Sequence, residues 1–235
     1  MDGHDIPQPQ ASTPALPFLV TEAYKTLRTN LMFALSSAEN KAIIISSALP
    51  SEGKSVTSAN LARTMAQTES KVVLVDADLR YATQYQHFRC ANVKGLSTVL
   101  GGFDTIQEVV MRDVHPNLDI ITSGPTPPNP SELLGSDRMD EIIAQLNNYY
   151  DYVFIDTPPI NLVSDALLLS KKVAGVVLIT RQEKSRYNEL TKAVSKLEFS
   201  GANILGLVVN AVSEKAGKYG KYEYSKYAKG RGNRR

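Results

Sequence analysis

Short apolar runs alternate along this chain with longer segments of mixed polarity. Ala42-Ile43-Ile44-Ile45 and the runs at 72–75, 118–121, 152–155, 175–179 and 204–209 consist mostly of Val, Ile and Leu. Runs of this length, rich in β-branched residues and without strict alternation, read as strands buried on both faces. The segments between them, 130–147 and 186–199, are long enough for helices, and a third helix is expected over 56–67, directly after the first run. Upstream, Ala23, Leu27, Leu31 and Ala34 recur at helical spacing, which predicts a first helix over 21–34 with Thr21 as its cap. Residues 1–17 hold four prolines and few apolar side chains, so an N-terminal arm is expected, with order beginning near Phe18. Strands buried on both faces and separated by helices imply an α/β fold with a mostly parallel sheet flanked by helices. Ligands then sit beyond the carboxyl ends of the strands.

At 235 residues the chain fits one sizeable domain, expected over 18–213, and no internal repeat is present. No apolar segment approaches the ~20 residues of a membrane span, and the N-terminus has no apolar signal core. A soluble, cytoplasmic protein is the expectation. The single cysteine, Cys90, excludes an intramolecular disulfide and a multi-cysteine metal site. Charge is unevenly placed: residues 214–235 carry eight Lys/Arg and two Asp/Glu, or +6, which leaves −4 on the rest of a chain whose total is +2. A basic tail suits nucleic acid or an anionic membrane, but Tyr219, Tyr222, Tyr224 and Tyr227 within it point to something more specific than nucleic acid.

Three motifs carry candidate chemistry. Ala48-Leu49-Pro50-Ser51-Glu52-Gly53-Lys54-Ser55 lies between a strand-like and a helix-like segment, the context of a phosphate-binding loop. There Pro50, Ser51, Glu52, Gly53, Lys54, Ser55 and Val56 would surround the phosphates of ATP, with Lys54 on the β/γ oxygens and the Ser55 hydroxyl on Mg²⁺. The usual first glycine is replaced by Ala48. The second motif, Val72-Val73-Leu74-Val75-Asp76-Ala77-Asp78-Leu79-Arg80, ends an apolar strand in two carboxylates on one face, which repel unless a cation lies between them. The third, Tyr152-Val153-Phe154-Ile155-Asp156, has the form of a Walker B strand whose aspartate orients Mg²⁺. Asn210, at the end of the last strand, is a candidate for the adenine ring or a simple strand-end turn residue.

Together with Gly124-Pro125-Thr126-Pro127-Pro128-Asn129-Pro130-Ser131-Glu132-Leu133-Leu134, these motifs resemble the bacterial tyrosine kinases of capsular and exopolysaccharide synthesis, from about residue 21 to the end. The resemblance implies a P-loop NTPase fold and ATP-dependent autophosphorylation of Tyr219, Tyr222, Tyr224 and Tyr227. It also implies a Walker A′ role for the second motif: Asp78 and Asp156 on Mg²⁺, and Asp76 orienting the incoming tyrosine. Arg80 either stabilises developing charge or makes a structural salt bridge. Glu22, Lys25 and Arg28 stand where the family carries Glu-x-x-Arg-x-x-Arg for ring assembly; Lys25 keeps charge but loses the planar fork. Arg80 is followed by Tyr81-Ala82 where the family commonly has a proline, which changes local stiffness and removes no ligand. The implied partners are a membrane-embedded polysaccharide co-polymerase-type modulator, further copies of the chain in a ring, and a cognate tyrosine phosphatase, placing the protein at the inner face of the cell membrane. Two other readings stay open: a positioning or partitioning ATPase, and a nucleotide-gated scaffold without kinase activity.

Overall fold

The computed structural model describes residues 16–213. The tail with Tyr219, Tyr222, Tyr224 and Tyr227, and the N-terminal arm apart from Leu16 and Pro17, lie outside the described residues. In chain order the elements are α1 (Phe18–Ala34), β1 (Ala42–Ser47), α2 (Lys54–Ala66), β2 (Val72–Asp76), α3 (Gln84–His87), α4 (Leu96–Leu100), α5 (Ile106–Val109) and β3 (Met111–His115). They continue with β4 (Leu118–Ile121), α6 (Pro130–Gly135), α7 (Asp137–Tyr149), β5 (Tyr152–Asp156), α8 (Asp165–Ser170), β6 (Gly175–Arg181), α9 (Tyr187–Phe199) and β7 (Ile204–Asn210).

Seven strands form one sheet in the order β3-β4-β2-β5-β1-β6-β7, parallel throughout except for the β3–β4 pair. Residue alternation divides the strands between two cores. Ile43, Ile45, Val72, Leu74 and Phe154 face α1 and α2, packing on Leu31, Leu61 and Met65. Ala42, Ile44, Val73, Val75, Val153 and Ile155 face the other way, onto Leu134, Met139, Ile142, Leu146 and Leu197. Both faces of the sheet are covered, as the unbroken apolar runs require.

The structure departs from the sequence pattern at three places. The first helix starts at Phe18 after Pro17, and Thr21 is inside it; its hydroxyl bonds back to Pro17 O at 3.3 Å instead of capping the helix. The single helix expected over 130–147 is two, because Ser136 adopts an extended conformation between α6 and α7. The edge strand β3 was not expected: Met-Arg-Asp-Val-His is largely polar, and its pairing is interrupted by a register shift, with Asp113 at φ 52°.

Candidate active site

The parallel register sets the site. Asp76 and Asp156 are direct partners on β2 and β5, and Asp156 is the partner of Ile45 on β1, so both carboxylates lie at one edge beside the strand that enters the phosphate loop. Neighbouring parallel strands are ~4.8 Å apart, so residues 80 apart in sequence meet there without any local signal. The loop turns through Ser51 at φ 62° and Gly53 at φ 98°, and α2 begins at Lys54. Its first ladder bond is Thr57 N–H to Gly53 O at 2.9 Å, so the amides of Gly53, Lys54, Ser55 and Val56 precede the ladder and point off the helix N-terminus. A side chain on Gly53 would collide with that of Asn210.

Lys54 is nearly buried. Its ammonium donates to Asp78 Oδ2 at 2.9 Å and to the Ser55 hydroxyl at 3.1 Å, and lies 3.7 Å from Asp156 Oδ1. Burial works against its charge, but Asp156, Asp78 and Asp76 outweigh burial and hold its pKa above the usual lysine value. Asp76 is fully buried. Its Oδ1 accepts from Asp78 N–H, and its Oδ2 from Thr83 N–H at 3.1 Å and Gln84 N–H at 3.0 Å. Burial, then the neighbouring Asp156, pushes its pKa up to about 7. Both Asp76 oxygens therefore face the backbone of the loop to α3.

Two buried carboxylates, Asp78 and Asp156, pair with the one ammonium, and the buried Asp76 lies on the neighbouring strand end, leaving a surplus of negative charge that a low-dielectric site penalises. The donors are hard oxygens: the Ser55 hydroxyl and the Asp78 and Asp156 carboxylates. Among the described residues no group of three or more His, Cys, Asp or Glu is arranged to enclose a metal by itself. Mg²⁺ takes one or two carboxylates and completes its shell with phosphates and water. The residues fit.

Around this centre the candidates named from the motifs meet partners that the motifs did not reveal, among them Arg181, Ser185, Ser131 and Asp165. Glu52 is 1% exposed; its carboxylate accepts from Leu49 N–H at 2.8 Å and from the Ser185 hydroxyl. Arg181 donates to Ser51 O at 3.3 Å, and Asn210 Nδ2 to Glu52 O at 3.0 Å, so the loop is braced from β6, its following turn and β7. Val56 is 46% exposed on the first turn of α2. Arg80 makes a structural link: its Nε bonds Asp165 Oδ2 at 3.0 Å and its Nη2 the Ser131 hydroxyl at 2.8 Å, while Ser131 donates to Asp165 Oδ1 at 2.6 Å. This joins the second motif to the Pro130-Ser131-Glu132 segment. On α1, Lys25 pairs with Glu22 at 2.8 Å, and Arg28 donates to Thr64 O at 2.9 Å in α2 of the same chain. Two clefts, one of about 490 Å³ beside Ile106 and Tyr149 and one of about 590 Å³ between α8 and α9, lie away from this acidic cluster.

A family model described as an AAA domain matches residues 40–198. The tyrosine-protein kinase YwqD of Bacillus subtilis (strain 168) is 40% identical over 206 residues, covering 88% of this chain and 86% of YwqD. This chain belongs to the bacterial tyrosine-protein kinase family. The solved kinase domain of Escherichia coli tyrosine kinase Etk superposes with a TM-score of 0.80 at 37% identity, covering 88% of this chain and 84% of that one. The chain spans 30% of the length of the whole Etk protein of E. coli K12. The septum site-determining protein MinD of Pyrococcus horikoshii, solved with Mg-ADP, shares the fold at a TM-score of 0.61 and 26% identity over 72% of this chain and 69% of its own. The family's fold is thus that of P-loop NTPases, and the phosphate loop, the Asp76–Asp78 strand end and Asp156 lie within or beside the matched region. Among the described residues no helix is long and apolar enough to cross a membrane.

Proposed function

We propose that this chain is an ATP-dependent protein-tyrosine autokinase, transferring the γ-phosphate of ATP to Tyr219, Tyr222, Tyr224 and Tyr227. The observation that carries the reading is the over-acidic cluster of Asp76, Asp78 and Asp156 around the Lys54 ammonium, at the N-terminus of α2, in a member of a tyrosine-kinase family. Phosphoryl transfer asks mainly for positioning and charge stabilisation, which this cluster is built to supply. The amides that precede the α2 ladder would hold phosphate oxygens and Lys54 would meet the β/γ oxygens; Ser55, with Asp78 and Asp156 directly or through water, would hold Mg²⁺, which would neutralise developing charge on the phosphates. Asp76 acts through the loop whose amides it fixes, shaping the approach of the phenol instead of touching it. A side-chain carboxylate is a weak base for a phenol of pKa ~10, so the phenol is oriented more than deprotonated.

The tail gives the substrate reach and the reaction a consequence. Residues 214–227 extend to ~45 Å at most, enough for a neighbouring copy or the same one. Four phosphates at about −1.5 to −2 each take the tail from +6 to roughly 0 to −2. That reversal loosens a ring assembled through the Glu22–Lys25–Arg28 helix, or a contact with an anionic membrane. The chain then works in capsular or exopolysaccharide synthesis, at the inner face of the membrane, with a membrane-embedded co-polymerase-type modulator and a tyrosine phosphatase that resets the tail.

Intact-mass analysis with Mg-ATP tests this, beside Lys54→Met and a variant with the four tail tyrosines changed to Phe. Added phosphates absent from both variants are the expected result. ATP consumption without added mass, even with the modulator's cytoplasmic peptide present, would overturn it in favour of an ATPase.

A further inference from the structure

One fully buried polar side chain has no place in the mechanism above. Gln84 opens α3 with no exposed surface. Its Nε2 donates to Asp156 Oδ2 at 2.8 Å and to the backbone oxygen of Ser55 at 3.0 Å, while its own backbone N–H donates to Asp76 Oδ2. Both partners of the amide nitrogen are pure acceptors, so the side chain has only one satisfactory orientation: turned over, its oxygen would face a carboxylate and a carbonyl. Its Oε1 is then left buried without a partner.

Through these contacts Gln84 sorts the two oxygens of Asp156. Oδ2 is occupied by the amide. Oδ1 is the oxygen that faces the Lys54 ammonium at 3.7 Å and the Ser58 hydroxyl at 3.4 Å. The same amide ties this carboxylate to the peptide group of Ser55, whose hydroxyl stands beside Lys54. We propose that Gln84 is a positioning residue for Mg²⁺: it locks the Asp156 carboxylate so that Oδ1 is presented to the cation, in fixed relation to Ser55, and offers Oε1 to a water of the cation's shell. Outer-shell donors of this kind set ligand orientation, and a hard cation that keeps several waters needs acceptors for their protons. The inference rests on the Mg²⁺–nucleotide part of the proposed function and is independent of phosphoryl transfer.

The test measures binding alone. A fluorescent ADP analogue is titrated into the full chain with excess Mg²⁺ and again with EDTA, for wild type, Gln84→Met and Gln84→Glu. The ratio of the two affinities reports the coupling of Mg²⁺ to nucleotide. Gln84→Met should lower that ratio about 10- to 100-fold while leaving the EDTA affinity within about twofold. Gln84→Glu keeps an acceptor but loses the donor to Asp156, and is expected to lose the coupling too; should Gln84→Met fail to fold, Gln84→Glu decides. In an Asp156→Asn background Gln84→Met should change the ratio no further. Retained coupling in the variant that decides, an equal fall in the Mg²⁺ and EDTA affinities, or an additive loss in the double variant would each overturn the proposal. A wild-type chain that shows the coupling but phosphorylates nothing would sink the kinase reading and leave this one standing.

Discussion

At Arg80 one guanidinium meets one buried carboxylate, that of Asp165, and the Ser131 hydroxyl links the two, so charge is balanced within the protein. Two residues away, at Asp78, the balance is broken: one ammonium pairs with two carboxylates, Asp78 and Asp156, while burial beside Asp156 pushes the pKa of a third, Asp76, up to about 7. A balanced group is complete as folded and ties elements together. An over-acidic one is left incomplete, the condition that the proposed Mg²⁺–nucleotide would relieve. Two clusters of similar residue types therefore have different work, and charge count separates them better than residue identity.

The sharpest break in the comparison is Lys54→Met, which removes the only ammonium of the unbalanced cluster. Phosphate incorporation should fall at least about 100-fold, read by intact mass. A ligand at ~100 times its Kd stabilises a protein by about 2.7 kcal/mol, so Mg-ADP should raise the melting temperature of wild type by that equivalent, little in EDTA and not at all in Lys54→Met. Asp165→Asn addresses the balanced cluster: it should cost about 1–3 kcal/mol in urea unfolding with an unchanged slope, yet keep the full Mg-ADP increment. Loss of the increment with stability intact would invert the comparison. The smallest effect belongs to the exposed Glu22–Lys25 pair, where Lys25→Met should change stability by less than about 0.5 kcal/mol. Any shift in assembly size seen for it by light scattering would then come from contacts between copies.

Features carried by contiguous residues were legible in the sequence. The strand–loop–helix unit from β1 to α2 and the six apolar strands can be read from runs of neighbouring residues, because burial on both faces leaves a local imprint. Polar β3 leaves none, and neither does the break at Ser136, where both flanking segments favour helix. The support of the site was hidden for a related reason. Gln84 meets Asp156 across 72 residues, Arg80 meets Asp165 across 85, and Ser185 meets Glu52 across 133. Such contacts follow from strand order and register, which no short motif encodes. Glutamine, serine and aspartate at those positions look like ordinary loop residues until the sheet brings them together.

The phosphate loop contains a single glycine, Gly53, and its shape is maintained by Glu52 from within and by Arg181, Ser185 and Asn210 from without. Its ordering entropy is consequently met when the protein folds. A nucleotide arriving at such a loop has no slack to remove, so binding should proceed as a single bimolecular step without a slow isomerisation. Loosening one brace, as in Ser185→Ala, should appear as a larger entropic penalty of association before it appears as a lost contact.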